Sequence, residues 1–520
     1  MRPIVASATI LFTSAILLSA LNLSHTVTAY ARRPQPTPTP MPSSSPTPGP
    51  SPCSGTGPYY VAINGNDSNN NNCTSSSPCR TMQHAVNLVC PGGSVIVAAG
   101  SYGETVTIST SGTAASPITI ASATPQGSSL KNFQLNASYW TINGFNISNQ
   151  TSGDTVAAGD GIYIHGSNNI IENNYIHELC EEGITPDYGD TTSDSNQILN
   201  NRIWRAEMSG IVVAGTNWVV SGNEVWDTQQ EPSKAGGIYS VCTIRTGTDA
   251  DYLPFFGSGH LINHNYFHDT LGLTTVNPSP HSDCFQTWND NRNAASNVVI
   301  DSNWCSYPRQ WNSGSSNNDM GSIEDWAGPL QFSSNIVVNS YHGLITDSTV
   351  SNFNFPPLYF RDNTEDNIYT EGIENDCGGG TCRQSDFAIE GNIFYEVGGN
   401  GDSYYAGFQC PTTVSQNVFH MRSGNVGSYA GNCTSAPAYI NNDPLFVNVG
   451  YLSGTEGSNA AVSGTAPCDN TANYSGISTY ADYHLSSASP DQINGVNLSG
   501  VTSDFYGTSR QSTPSIVAVQ

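Results

Sequence analysis

The feature that most constrains this chain is a repeat. From about residue 160, short β-prone runs recur, each carrying an asparagine beside an apolar or aromatic residue. They read Ile170 to Ile176 (IIENNYI), Ile198 to Ile203 (ILNNRI), Val219 to Val225 (VVSGNEV), Leu261 to Phe267 (LINHNYF) and Val298 to Trp304 (VVIDSNW). Ile336 to Tyr341 (IVVNSY), Ala388 to Phe394 (AIEGNIF) and Val414 to Phe419 (VSQNVF) follow. Each run is too short for a helix and alternates apolar with polar residues, as a strand does. Asn174, Asn201, Asn223, Asn265, Asn303, Asn392 and Asn417 fall at comparable places. Recurrence of this kind implies a solenoid, in which each coil covers the apolar face of the next. An asparagine at a tight bend can bond the backbone and its stacked copies, so these asparagines read as structural.

A second marker is a glycine followed by another β-prone run: Gly161-Ile162, Gly183-Ile184, Gly210-Ile211, Gly237-Ile238 and Gly343-Leu344, with Cys284-Phe285 in the same place. Successive asparagines lie 27 residues apart from Asn174 to Asn201 and 22 from there to Asn223, which suits three short strands and their turns. The next intervals are 42 and 38. A solenoid absorbs such length as loops on one face, often the binding face. Parallel strands are expected over about residues 95 to 450, with loops at 227–259 and 344–386 leaving the stack. Met82 to Val89 offers a short amphipathic capping helix, flanked by Cys79 and Cys90, which could staple it.

The chain start reads as an export signal. Arg2 supplies positive charge, Ile4 to Leu23 a weakly apolar run, and Ala29-Tyr30-Ala31 a cleavage site after residue 31. The run is broken by Ser7, Thr9, Thr13, Ser14 and Ser19, so it suits a signal better than a membrane anchor. Residues 32–52 form a Pro/Ser/Thr-rich linker, 53–493 the repeat domain with its caps, and 494–520 a carboxy-terminal tail. Export makes disulfides the expected state of the 13 cysteines, without fixing their pairing. Cys284, on a strong strand pattern, reads as a small buried hydrophobe. Cys377 and Cys382 alone are a thin basis for a metal site.

The amino-terminal segment Tyr59-Tyr60-Val61-Ala62, Gly65-Asn66-Asp67, Pro78-Cys79-Arg80-Thr81-Met82, Pro91-Gly92-Gly93-Ser94-Val95 and Ala99-Gly100-Ser101-Tyr102 looks like a cap and first coil. Asp443-Pro444-Leu445-Phe446 and Tyr483-His484-Leu485 look like closing coils. With the repeats between them, the chain resembles the pectate-lyase-like right-handed parallel β-helix superfamily over about residues 59 to 493. The resemblance implies an all-β, single-stranded right-handed parallel β-helix with a short amino-terminal capping helix and long loops on one face. That superfamily holds lyases, glycoside hydrolases, epimerases, esterases and adhesins, so fold alone does not choose an activity.

Overlaying the Gly-Ile markers puts the preceding residues in one column: Asp160, Glu182, Ser209, Gly236, Asp283, Met320 and His342. Coils stack ~4.8 Å apart, so Asp160 and Glu182 would face each other across one step. Acid–base cleavage of a glycosidic bond needs two carboxylates, ~5 to 5.5 Å apart for retention and ~6.5 to 9.5 Å for inversion. Asp283 with Asp319 or Glu324 is the nominated pair, and His281 would orient Asp283. Tyr239, Trp288, Trp311 and Trp326 are candidate platforms for sugar rings, with Glu182 and Arg309 as further substrate contacts. No cofactor is required, although Asp187, Asp190 and Asp194 offer oxygen ligands for a structural or catalytic calcium without a regular calcium-loop pattern.

The net charge of −26 disfavours nucleic acid and anionic lipid as partners, and no later segment suits membrane insertion. It also makes an anionic polymer awkward unless cations gather locally. Ser282-Asp283-Cys284 only partly echoes the Asn-Thr-Asp of polygalacturonases. Lys234, Arg245, Arg309, Arg361 and Arg383 do not complete a lyase motif. The expectation is therefore a secreted, extracellular glycoside hydrolase acting on a polysaccharide, with the linker permitting cell-wall association. The alternatives are a polysaccharide lyase on a uronate glycan, with Lys234 or Arg309 as base, and a noncatalytic carbohydrate-binding or surface protein. The sequons at Asn72, Asn136, Asn146, Asn432, Asn473 and Asn497 fit the last.

Overall fold

A computed structural model describes residues 53–150, 159–187, 189–226, 228, 251–268, 283–288, 293–306, 319–348, 354–368 and 371–376. It also describes 383–384, 387–397, 405–406, 413–420, 439–440, 443–448, 482–493 and parts of 498–509. The signal and linker of the sequence reading lie outside these residues.

The chain winds through three parallel sheets. One is 13-stranded and runs from Tyr59–Val61 through Ser94–Val97, Ile118–Ser122 and so on to Thr413–Ser415. A second, also 13-stranded, runs from Gly100–Ser101 to Tyr439–Ile440. The third face starts with Thr105–Ile108, Asn132–Leu135, Ile162–Ile164 and Ile184–Thr185. Single bridges from Ile184 to Ile211 and from Val213 to Phe255 carry it on to a six-stranded ladder. That ladder comprises Leu253–Pro254, Phe285–Thr287, Asp319–Glu324, His342–Asp347, Ile373–Asp376 and Tyr405–Ala406. Inward side chains stack as apolar columns, among them Phe360, Phe394 and Phe419.

The repeated asparagine marks the corner between the first and second sheets, so each run in the sequence is two strands around a bend. Ile170–Glu172 and Tyr175–Leu179 flank Asn174 in this way. The residue before each asparagine takes positive φ, as at Asn173, Gly222, His264 and Gly391. The asparagine Oδ1 accepts the backbone N–H of the equivalent asparagine one coil earlier, at 2.8–3.0 Å from Asn174 through Asn417. Its amide nitrogen donates to a carbonyl of the earlier coil, as Asn303 does to Ile262 O at 3.0 Å. Asn335 and Asn363 complete the ladder, two members beyond those read from the sequence.

The marker glycine has an equally local cause. A Cβ on Gly183 would lie 2.3 Å from the Gly210 carbonyl oxygen and 2.7 Å from the Ile203 side chain. Only glycine lets the coils approach there.

Several expectations are corrected. Residues 227–259 and 344–386 are not wholly loops: Leu253–Pro254, Leu358–Arg361, Thr364–Asp366 and Ile373–Asp376 lie in the sheets. Cys79 and Cys90 do not bond each other, since Cys73 pairs with Cys79 and Cys53 with Cys90. Cys284 is buried but bonded to Cys305, joining the third face to the second sheet. Met82–Leu88 is the expected capping helix, with Thr81 accepting from His84 N and the Glu104 carboxylate from the N–H groups of Met82 and Gln83. Cys377 and Cys382 lie outside the described residues.

At the other end, Phe446–Asn448 pairs antiparallel with Asp482–Leu485. Tyr483 and Phe505 then pack on Trp304, in a cluster with Ile336, Ile393 and Val418.

One core position breaks the apolar pattern. Glu365 aligns with Val337 and Phe394 on neighbouring coils, is fully buried, and has no hydrogen-bond partner on either carboxylate oxygen. Glycines make room for it: a Cβ on Gly343 or Gly372 would lie 2.5 or 2.6 Å from its oxygens. Burial raises its pKa well above the usual glutamate value of 4.5.

Two outcomes follow from these contacts. Asn303→Ala strands the buried N–H of Asn265 and should cost about 3 kcal/mol, read as a lower unfolding midpoint with an unchanged far-ultraviolet spectrum. For Glu365, the folded chain keeps a proton that the unfolded chain releases. Its contribution is therefore full below pH 4.5 and is lost as pH rises through the raised value. Thermal midpoints measured across pH should show Glu365→Gln gaining on the wild type as pH increases.

Candidate active site

The strands of the third face begin on a column of acidic residues. Backbone bonds place its members: Gly161 N reaches Glu182 O, Gly183 N reaches Ser209 O, and Gly210 N reaches Asp251 O. Tyr252 N then reaches Asp283 O, Cys284 N reaches Asp319 O, and Gly343 N reaches Glu371 O, while Asp319 pairs with His342. The order is Asp160, Glu182, Ser209, Asp251, Asp283, Asp319, His342 and Glu371. Two places differ from the sequence overlay. Asp251 stands where Gly236 was expected, because Tyr252 replaces the marker glycine. Asp319 stands where Met320 was expected, because Gly321 pairs with Phe285 rather than Cys284.

The column is held by its own side chains. Asp160 Oδ1 accepts the Glu182 N–H at 3.3 Å, Asp251 Oδ1 the Asp283 N–H at 2.9 Å, and Asp283 Oδ1 the Asp319 N–H at 3.1 Å. Each carboxylate thus anchors the start of the next coil, whereas each corner asparagine accepts from the coil before it. Asp319 Oδ1 lies 2.9 Å from His342 Nδ1.

Electrostatics differ along the column. Burial, the charge and hydrogen bond of Glu182, and the charge of Glu181 all push the Asp160 pKa well up. Asp160, Glu181 and Glu182 are thus three crowded carboxylates. At the far end, burial would lower the His342 pKa, but Asp319, Glu374 and Glu371 together push it up to about 9.

The sequence candidates divide accordingly. Asp283 and Asp319 come together in adjacent coils, and Glu182 lies three coils before Asp283 in the same column. Glu324 does not join them: it is five residues beyond Asp319 on one strand, ~16 Å at ~3.3 Å per residue, and it aligns with Asp347. That exceeds the span of any glycosidase carboxylate pair. Trp326 is a core residue, stacked 4.9 Å from Phe355, and not an exposed sugar platform. Trp288 is half-buried, edge-on to Phe256 at 4.6 Å, on the outer side of the third face near Val212 and Ala214. His281, Tyr239, Arg309 and Trp311 lie outside the described residues, as do Lys234 and Arg245. Arg361 is bound to Glu390 at 3.0 Å on the first sheet, away from the column.

The calcium candidates serve turns. Asp190 Oδ1 accepts from Thr192 N and Oγ1, its Oδ2 binds Ser193, and Asp194 Oδ1 accepts from Thr216. Among the described residues, two groups have donors converging as metal ligands would. Cys73, Cys79 and His84 are one, with both sulfurs consumed by their disulfide. The other is His342, Glu371 and Glu374. The sequence reading placed His342 in the column but missed both glutamates, because the Glu371-Gly372-Ile373 marker was not recognised.

Residues 59–207 match a family model described as Pel9A-like, right handed beta helix region. Pectate lyase L of Dickeya chrysanthemi is 28% identical over 168 residues, covering 28% of this chain and 37% of the relative. Pectate lyase L of Paenibacillus polymyxa (strain SC2) is 31% identical over 164 residues, covering 28% and 34%. The chain thus spans about a third of the length of these curated relatives. A solved complex of XylC with xylose is 11% identical with a TM-score of 0.51, over 89% of this chain and 98% of that one, a likeness of fold. The three parallel sheets and the capped first coil make this chain a parallel β-helix, and its amino-terminal segment is similar to the Pel9A-like, right handed beta helix region.

Proposed function

We propose that the chain cleaves a uronate-containing extracellular polysaccharide by β-elimination at the amino-terminal end of the acidic column. The observation that carries this reading is the crowding of Asp160, Glu181 and Glu182, which lie within the segment resembling the Pel9A-like region. The three carboxylates offer the oxygen donors that hard cations favour, although their oxygens are not drawn together as a ligand set in this structure, so a calcium ion would have to gather them. A cation bound there would neutralise the substrate carboxylate and acidify the adjacent C–H. Asp160, Glu181 and Glu182 would hold the cation, which answers the objection that a chain of charge −26 repels an anionic polymer. Lys234 and Arg309 are the candidates for the base. The relatives named pectate lyase L support lyase over hydrolase chemistry. The disulfides of Cys53–Cys90, Cys73–Cys79 and Cys284–Cys305 support export.

Hydrolysis is the second reading, favoured by the same pair. Burial and the neighbouring Glu182 one coil away favour the protonated form of Asp160, and a ~4.8 Å coil spacing is close to the ~5 to 5.5 Å of retaining carboxylates.

Incubation with polygalacturonate and with neutral glycans separates the two. Elimination gives unsaturated, ultraviolet-absorbing ends without added water, is abolished by chelator and is restored by calcium. Glu182→Gln should lower kcat/KM by on the order of 10²-fold or more with folding retained. Saturated products bearing one added water would overturn the lyase reading. Asp283→Asn tests the other end of the column. The Asn Oδ1 still accepts the Asp319 N–H, so the variant should fold and keep kcat/KM within a few-fold. A loss of ~10² to 10⁴ would instead place acid–base catalysis at Asp283.

A further inference from the structure

His342 and Glu371 occupy equivalent places on successive coils, five and six coils beyond Glu182. Glu374 stands on the strand that follows Glu371, facing the same side. One His342 nitrogen and one carboxylate oxygen from each glutamate all lie within 4.8 Å of one another.

We propose that His342, Glu371 and Glu374, oriented by Asp319, bind a first-row divalent transition ion of the zinc class. The geometry supports this in three ways. Asp319 Oδ1 engages His342 Nδ1 at 2.9 Å, fixing the ring so that Nε2 faces the glutamates. A carboxylate on the remote nitrogen of a ligating histidine is the usual outer-shell support of a metal site. His342 Nε2 lies 3.7 Å from Glu374 Oε2, beyond a hydrogen bond but suited to two ligands on one ion with bonds of ~2.0 to 2.2 Å. The backbone fixes the arrangement as well: Gly343 N donates to Glu371 O and Leu344 N to Gly372 O, both at 2.8 Å, so two ligands are set by coil register rather than by a loop.

The donor set selects the ion. One imidazole with two carboxylates suits zinc and its neighbours, whereas calcium and magnesium prefer oxygen alone. The His342 and Glu374 side chains keep 15% and 26% exposure, so an ion can enter and an open coordination position can face solvent. This site is separate from the carboxylates at Asp160, Glu181 and Glu182, and its chemistry does not depend on theirs.

The test uses the full chain, stripped with chelator and dialysed into calcium so that oxygen-only sites are filled. Zinc chloride is titrated calorimetrically, bound zinc is counted by mass spectrometry, and cobalt(II) reports ligand geometry through its visible spectrum. The wild type should bind one zinc per chain and show a cobalt spectrum of nitrogen and oxygen ligation. His342→Gln and Glu374→Gln should each weaken zinc binding at least 100-fold, and Asp319→Asn by ~10- to 100-fold. Glu182→Gln should leave zinc binding unchanged. Glu374 is partly exposed, so its variant should fold, with thermal unfolding as the check. Failure of the wild type to bind zinc in excess calcium would overturn the proposal. So would wild-type affinity in folded His342→Gln and Glu374→Gln, which would assign the ion to other histidines.

Discussion

The amide of one asparagine per coil holds this architecture in register. Turning a parallel strand through a tight corner exposes a backbone N–H that the next strand cannot reach. The asparagine Oδ1 of the following coil accepts it, and its own amide hydrogens reach a carbonyl and the next Oδ1, so one side chain satisfies the corner inside an apolar core. A one-residue slip would break the bond at that corner and turn the inward side chains outward. The ladder therefore fixes the angular position of every strand that follows it, including those of the third face. The acidic column is a result of that registration: carboxylates far apart in sequence are brought to neighbouring rungs.

The acidic column uses a related device of opposite polarity, with a charged acceptor. Asp160, Asp251 and Asp283 each take a backbone N–H from the next coil. An asparagine could make those bonds without the repulsion of neighbouring charges, as the corner ladder shows. Carboxylates at these positions therefore carry an electrostatic cost that the hydrogen bonds alone do not require, as at Asp160, where Glu182 and Glu181 crowd it.

How much could be read from sequence follows from the range of each signal. Asn174, Asn201, Asn223, Asn265 and Asn303 were legible because the bend is a local motif with a positive-φ residue before the amide. Asn335 escaped because the nearby Asn339 drew the alignment, and Asn363 because its coil fell within 344–386, expected to leave the stack as a loop. Asp160 and Glu182 were placed by the Gly-Ile marker, and Asp283 by Cys284-Phe285 standing in its place. Asp251 was missed because a tyrosine replaces the glycine. The contact of His342 with Glu374, and the bond between Cys284 and Cys305, depend on which rungs meet in space. Nothing local in the sequence encodes either.

A stack of coils contacting only their neighbours would ordinarily loosen from its ends one rung at a time. Tyr483 and Phe505 pack on Trp304 in a cluster that also holds Ile336, Ile393 and Val418, which belong to different coils of the second sheet. This cluster acts as a lengthwise brace. Rungs separated in the stack share a packing surface, so freeing the last coil first requires lifting a segment that also grips Trp304. The described coils from Trp304 onward should then open as one cooperative block rather than by fraying, and this block contains His342, Glu371 and Glu374.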